Sequence, residues 1–365
     1  MKKKSYLSDT EVQAFCEWFA ERINGSVGID FHGSHPKALT LEFLHDGLFN
    51  YAWPDKTINS INRVSRFLLP LSSKAGFLQN RKILDELSDG LTSARDASSD
   101  HDFADWAMAT MEWGGVGKNK GWIKRHTTGL VQRVLEANAF ISTCDDDVAR
   151  WLRSAKHQVN GLKFNAGWTK VYALVNHEFI IYDSRVAAAL AWLVCVWLGK
   201  GEESRKTMPG GLLAFGCLKA NEGQNQKHPK SRNPRPGIFP NIDQNPIEHL
   251  KWNIRANWVL EKSLRLAGQS AFDNLRELEA SLFTLGYALN GARCVAEAGA
   301  SAGEDIRGQV VGEETRMDKA RRILLENPGA QRKEIIAKFI QEAGLTKAGA
   351  STYYQKLRKE LASRE

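Results

Sequence analysis

Lys170 and Asp183 are the two residues in this chain whose types and spacing most readily suggest chemistry. They stand 13 positions apart in residues 165–190, which read NAGWTKVYALVNHEFIIYDSRVAAAL. A lysine amine attacks electron-poor carbon once it has lost its proton, and burial or neighbouring cations lower its pKa toward that state. Kept protonated, the same amine is a phosphate contact. A carboxylate opposite it favours positive charge developing on a bound molecule, most strongly where water is excluded. Asp183 has a second assignment as well. It immediately precedes a run rich in alanine and leucine, where a carboxylate accepts bonds from the free N–H groups of a first helical turn and meets the positive end of the helix dipole.

The elements that must hold these residues are legible on both sides. Phe179, Ile180, Ile181 and Tyr182 form a strand-like run, and a helix follows Asp183, so the amine and the carboxylate lie at the two ends of one compact unit. Helical spacing dominates elsewhere. Ser8 and Glu11 make a capping box for a helix that Asn24-Gly25 stops. Further helices are expected over residues 58–68, 83–91, 103–113 and 148–158, and in two runs between 250 and 289. Residues 27–31 and 39–43 read as short strands, and 93–101 as a polar, disordered-looking connection. The predicted fold class is mainly α. A helical core with a few short strands spans residues 1–295, a Gly, Ala, Glu and Ser-rich linker spans 296–315, and a small three-helix domain spans 316–365.

Three cationic stretches accompany this core. Gly114 to Trp122 is rich in glycine and lysine but is no phosphate-binding P-loop, because Glu112 replaces the first glycine and Asn119 the Ser or Thr that would meet magnesium. It reads either as a flexible surface loop or, with Lys118, Lys120 and the following Lys124 beside Trp113 and Trp122, as one wall of a nucleic-acid cleft, since aromatics stack on bases while lysines pair with phosphates. Residues 227–236 carry four cations and no acid, among them Lys227, Lys230 and Arg232, which makes them a solvated loop or a DNA-backbone contact. From residue 316 onward there are 12 Lys or Arg against 6 Asp or Glu, so most of the chain's charge excess lies there. Lys347, Tyr353 and Lys356 mark the third helix of that domain as a candidate DNA-reading helix in a helix-turn-helix-like arrangement. A dimerisation or partner-binding module is the competing reading.

The stretch around Lys170 resembles the catalytic segment of the helix-hairpin-helix DNA glycosylase superfamily. In that pattern a glycine-rich hairpin and a Thr-Lys-Val-like sequence precede an aspartate at a helix start. Here they correspond to residues 164–168, to Thr169-Lys170-Val171, and to Asp183 in Tyr182-Asp183-Ser184-Arg185-Val186. The resemblance departs from the pattern where Trp168 stands in place of a close-approach glycine and where the Lys-to-Asp interval is shortened. It implies a DNA glycosylase that extrudes a damaged or hypermodified base and cleaves its N-glycosidic bond, with Lys170 as nucleophile, Asp183 as the essential carboxylate and AP-lyase chemistry as an option. Branches of the superfamily include bacterial enzymes that act in defence against phage DNA. An extruded base needs aromatic walls, and Trp113, Trp168 and Tyr172 are the candidates. The rival class is a catalytically inert DNA-binding regulator of a plasmid or phage, in which Lys170 and Asp183 form a structural pair.

Composition bounds these readings. The 365 residues suffice for two or three domains, and a net charge of +8 favours an anionic partner, here double-stranded DNA. The five cysteines are scattered without a C-x-x-C pair, so no metal, iron–sulfur cluster or other cofactor is expected. The longest apolar run covers residues 186–198, too short for a membrane span, and acidic residues replace the apolar core of a signal peptide after the N-terminal lysines. A cytoplasmic protein without membrane contact is the expectation.

Overall fold

The computed structural model describes residues 1–33, 39–53, 76–154, 163–199, 211–218, 232–235 and 237–289, with 320, 323–324, 327, 330–342, 350 and 354 near the C-terminus. The chain divides into two compact units, residues 1–300 and 301–365. The expected helix over 58–68, the linker over 296–315, and Lys227, Lys230, Lys347, Tyr353 and Lys356 lie outside the described residues.

The protein is mainly helical, as its apolar spacing predicts, and the described residues contain one two-stranded sheet. In the first unit α1 (Lys3–Leu7) and α2 (Thr10–Ile23) lead to β1 (Phe31–Gly33), which pairs antiparallel with β2 (Leu39–Leu41), Phe31 opposite Leu41. There follow α3 (Asp46–Phe49), α4 (Phe77–Asp96), α5 (Asp100–Trp113), a 3-10 turn (Gly117–Asn119), α6 (Lys120–Arg125), α7 (Leu130–Ile141) and α8 (Val148–Ser154). The unit ends with α9 (Trp168–Val175), α10 (Ser184–Gly199), α11 (Pro246–Leu266) and α12 (Leu275–Ala288).

Two of the boundaries that differ from expectation have local reasons. The cap of α2 is Asp9, whose carboxylate accepts from the N–H groups of Glu11 (3.0 Å) and Val12 (3.2 Å); Ser8 instead turns its hydroxyl back to the Ser5 carbonyl (3.1 Å). Residues 93–101 form no disordered connection. Helix α4 continues to Asp96, Ser98 takes a positive φ of 51°, and the Ser99 hydroxyl accepts from the Asp102 N–H to start α5. Polar side chains here satisfy helix ends. Asp100 even caps a helix not its own, accepting from Gly129 N (2.6 Å) and Val131 N (3.0 Å) at the start of α7.

Helix α10 is the centre of the unit, buried at every position from Val186 to Cys195, which accounts for its almost unbroken apolar sequence. It packs against α12, with α2 on another side. The α10–α12 approach depends on Gly286, because a Cβ there would run into the backbone carbonyl of Arg185. Backbone cannot rotate away as a side chain can. Gly286→Ala should therefore lower stability by about 1–3 kcal/mol through overpacking, read as a fall in the urea midpoint at unchanged slope. An unchanged midpoint would mean that the two helices part at no cost.

In the second unit Ala320, Ile323, Leu324, Ile335, Phe339 and Ala350 form a small core. Its helix α13 (Arg332–Gln341) opens with a reciprocal capping box between Gln331 and Glu334, and Lys338 Nζ donates to Asn327 Oδ1 (2.7 Å).

Candidate active site

Helix α9 carries Lys170 and is buried along its whole length. Asn165 starts it: its Oδ1 accepts from Gly167 N (2.9 Å) and Trp168 N (3.1 Å), while its Nδ2 donates to Asn119 Oδ1 (2.9 Å) in the 3-10 turn. Glycines permit this docking. A Cβ on Gly167 would lie 3.0 Å from Met111 Sδ and 3.1 Å from Val116 Cγ2. A Cβ on Gly114 would meet Lys170 Cδ at 2.7 Å and Cε at 2.8 Å, so the bare backbone at the end of α5 is the bed on which the lysine stem lies. The glycine-rich stretch 114–121 is thus an ordered turn that seats Lys170. Lys118 in this turn and Lys124 on α6 are exposed, whereas Lys120 is ion-paired to Glu112.

The strand-like run Phe179–Tyr182 joins no sheet. Side chains take the place of a neighbouring strand. Ile180 N donates to Asn257 Oδ1 (2.9 Å) and its carbonyl accepts from Asn253 Nδ2 (3.1 Å); Ile181 N donates to Glu279 Oε2 (2.7 Å). Tyr182 N donates to Thr169 Oγ1 (3.0 Å) and the Tyr182 carbonyl accepts from His249 Nε2 (2.8 Å). These bonds satisfy buried backbone groups and hold the segment that delivers Asp183 from α9 to α10.

Asp183 caps α10, its Oδ1 accepting from Arg185 N (2.9 Å) and Val186 N (3.3 Å). Its Oδ2 receives Lys170 Nζ at 3.3 Å, and that amine also donates to the Ala166 carbonyl (3.0 Å). Both residues are buried, Lys170 being 2% and Asp183 5% exposed. Burial alone would raise the Asp183 carboxyl, but Lys170, Arg185, the Arg185 N–H and Arg232 outweigh it and hold the group at about 2. Burial lowers the Lys170 amine, and the attraction of Asp183 only partly opposes that. The result is an anion beside an amine that gives up its proton more readily than a free lysine does, the direction a nucleophile needs.

The pair faces a cavity of about 20 Å³, room for a single water. Tyr51, Trp53, Trp113 and Phe283 supply aromatic walls, and Asn80, Arg276 and Glu279 polar ones. Trp53 and Trp113 stack with ring centres 4.5 Å apart. A chain of bonds fixes them: Trp53 Nε1 to the Trp113 carbonyl (3.1 Å), Trp113 Nε1 to Asn80 Oδ1 (2.9 Å), and Asn80 Nδ2 to Tyr51 Oη (2.8 Å). Glu279, ion-paired to Arg276, has its carboxyl pushed upward by burial.

The predicted site residues separate on this geometry. Lys170, Asp183 and Trp113 meet at the cavity. Trp168 and Tyr172 do not line it: Trp168 packs edge-on to Trp122 (5.2 Å), and Tyr172 stacks on Phe164 (5.1 Å). Residues two apart on a helix point about 200° from each other, so neither neighbour of Lys170 at that spacing can share its face. Arg232 reaches the start of α10, donating Nη1 to Ser184 Oγ (2.6 Å). Tyr51, Trp53, Asn80, Arg185, Arg276, Glu279 and Phe283 escaped the sequence reading, and the strand-spaced and helix-spaced patterns around them offer no signal that would have singled them out. Among the described residues no cluster of three His, Cys, Asp or Glu is placed to hold a metal ion, and no helix is long and apolar enough to cross a membrane. Comparison with protein-family models, curated proteins and solved structures found no match to this chain.

His249 adds a pH dependence to the site. Burial lowers its imidazole to about 4 from 6.5, with the Tyr182 carbonyl opposing. The folded state therefore binds the proton less well than the unfolded state, so the contribution to stability is full above about pH 6.5 and is lost as pH falls toward 4. Between pH 7 and pH 5 the loss from this group is about 2 kcal/mol. His249→Gln keeps an amide donor for the Tyr182 carbonyl but cannot titrate. Urea unfolding of this variant should show a pH 7 to pH 5 decline smaller by that amount, whereas equal declines would remove His249 as the cause.

Proposed function

We propose that this protein is a DNA glycosylase in which Lys170 and Asp183 release a damaged or hypermodified base from duplex DNA. The observation that carries the reading is the contact of a buried amine with a low-pKa carboxylate at a helix start, 3.3 Å apart and open to an aromatic cavity. The resemblance of residues 164–186 to the glycosylase catalytic segment supports it, and so do the net charge of +8 and the exposed Lys118 and Lys124.

In this mechanism the target nucleotide is drawn out of the stack toward the aromatic walls. The neutral amine of Lys170 attacks C1′ as the glycosidic bond breaks with its electron pair going to the base. The lysine nitrogen gives up a proton and the departing base gains one. The C1′–O4′ bond then breaks with its electron pair going to O4′, which takes the second amine proton, and the nitrogen lone pair closes the C=N bond of a Schiff base on Lys170. Asp183, anionic throughout, offsets positive charge on the sugar. Glu279, Asn80 and Tyr51 are the polar groups that face the base.

One observation favours the rival reading, a structural ion pair in a DNA-binding regulator. A cavity of about 20 Å³ cannot hold a base, so the glycosylase requires its walls to part on binding, as wall movement on substrate binding commonly does. Incubation of the protein with duplexes carrying different modified bases, followed by mass spectrometry of the small-molecule fraction, separates the two. Free base supports the glycosylase, and tight binding without release across the series supports the regulator.

A further inference from the structure

The start of α10 has more positive charge than the described acids can balance. Arg232 is 9% exposed, its Nη1 donates to Ser184 Oγ (2.6 Å), and its Nε is buried without a partner. Among the described residues no carboxylate pairs with it. Arg185, one residue further along α10, lies over the rings of Phe283 (4.5 Å), Tyr287 (5.1 Å) and Trp53 (5.8 Å), and its Nε is likewise buried and unpartnered. Its nearest acid is Asp183 at 3.8 Å, and that carboxylate already receives Lys170 at 3.3 Å and caps two N–H groups. Two guanidinium cations and the positive end of a 16-residue helix therefore share one carboxylate that Lys170 already contacts. Burial, and after it repulsion from Arg185, lowers the Arg232 guanidinium to about 10, with the attraction of Asp183 opposing.

We propose that Arg185, Arg232 and Ser184 form a phosphate-binding site at the N-terminal end of α10. Each guanidinium has an unpartnered Nε–H donor, and a planar guanidinium can give a tetrahedral oxyanion two N–H bonds, which a chloride ion cannot accept in that way. The helix end adds its own field in the same direction. Asp183 occupies the first-turn N–H groups, so the anion sits on the Ser184 and arginine side and is held by side chains. A phosphate group arrives either as a phosphodiester of a DNA strand or as a free phosphate. The diester assignment rests on the glycosylase reading, since it would fix the backbone beside the extruded nucleotide; the anion site does not.

The test compares native protein with Arg185→Gln and Arg232→Gln, and with Arg232→Lys as a variant that keeps the charge but not the fork. Thermal unfolding is followed with inorganic phosphate and with chloride at matched ionic strength. Binding to an unmodified 20-base-pair duplex is measured by fluorescence anisotropy at a series of salt concentrations. Native protein should gain melting temperature with phosphate over chloride. Both Gln variants should lose that gain, and Arg232→Lys should keep only part of it. With the diester as occupant, each Gln variant also lowers the slope of log K against log salt by about 0.9, the loss of one phosphate contact. Phosphate protection lost in the variants at an unchanged DNA slope establishes the site with free phosphate as its occupant. No specific protection in native protein, together with unchanged DNA slopes in folded variants, overturns the site. None of these readouts depends on base release, so failure of the glycosylase reading is seen separately.

Discussion

Lys170→Met should eliminate borohydride trapping of a protein–DNA complex while the protein remains folded. Reduction by borohydride fixes a Schiff base, and among the described groups at the cavity Lys170 supplies the one primary amine. Methionine is the informative replacement because its unbranched side chain fills the bed beside Gly114, where a Cβ would approach Lys170 Cδ to 2.7 Å. Asp183 keeps its two N–H donors at the start of α10 and Arg185 at 3.8 Å, so it is not stranded. Trapping by native protein should also increase with pH, because burial lowers the amine and the neutral form is the attacker. Trapping that persists in Lys170→Met would place the nucleophile elsewhere. Base release by native protein without any trapping would make water the attacker and Lys170 a positioning cation.

Asp183→Asn should reduce single-turnover base release by at least about 100-fold, the scale found when one preorganised electrostatic group is removed. Its effect on stability is set by two opposing facts. Asparagine can still accept from Arg185 N and Val186 N, so the cap survives. The buried amine of Lys170 loses its anion, which costs up to about 3–5 kcal/mol when the stranded charge is retained. Burial lowers the amine, so it sheds its proton more readily than a free lysine, and the cost should fall below that range. Affinity for DNA should change little, because the exposed Lys118 and Lys124 are untouched. A folded Asp183→Asn protein with native single-turnover rates would reduce Asp183 to a helix cap.

The helical class and the approximate helix positions were legible because apolar spacing and capping residues are local. Asn245 and Asn274 cap α11 and α12 through contacts no more than three residues away. Lys170 and Asp183 were legible as a pair because a compact α9, extended segment and α10 bring together residues close in the chain. The cavity was not legible. Its walls come from residues 51–53, α4, α5 and α12, and Glu279 reaches the site from 96 to 109 positions beyond Asp183 and Lys170. Proximity in sequence is not proximity at the cavity: Trp168 and Tyr172 flank Lys170 in the chain but do not line it. The run 179–182 has strand chemistry, yet asparagine and glutamate side chains of α11 and α12 perform the pairing, and sequence alternation carries no trace of such partners.

The most direct measurement is the amount of free base released, by mass spectrometry, from duplexes with modified bases treated in parallel with native protein, Lys170→Met and Asp183→Asn. Native protein should release one class of base stoichiometrically in a single turnover, Asp183→Asn should release at most about one hundredth as fast, and Lys170→Met should release without forming a trappable complex or not at all. Release that is equal in native protein and Asp183→Asn, or absent from native protein on every modified duplex it binds, would contradict the assignment of this pair as the catalytic centre.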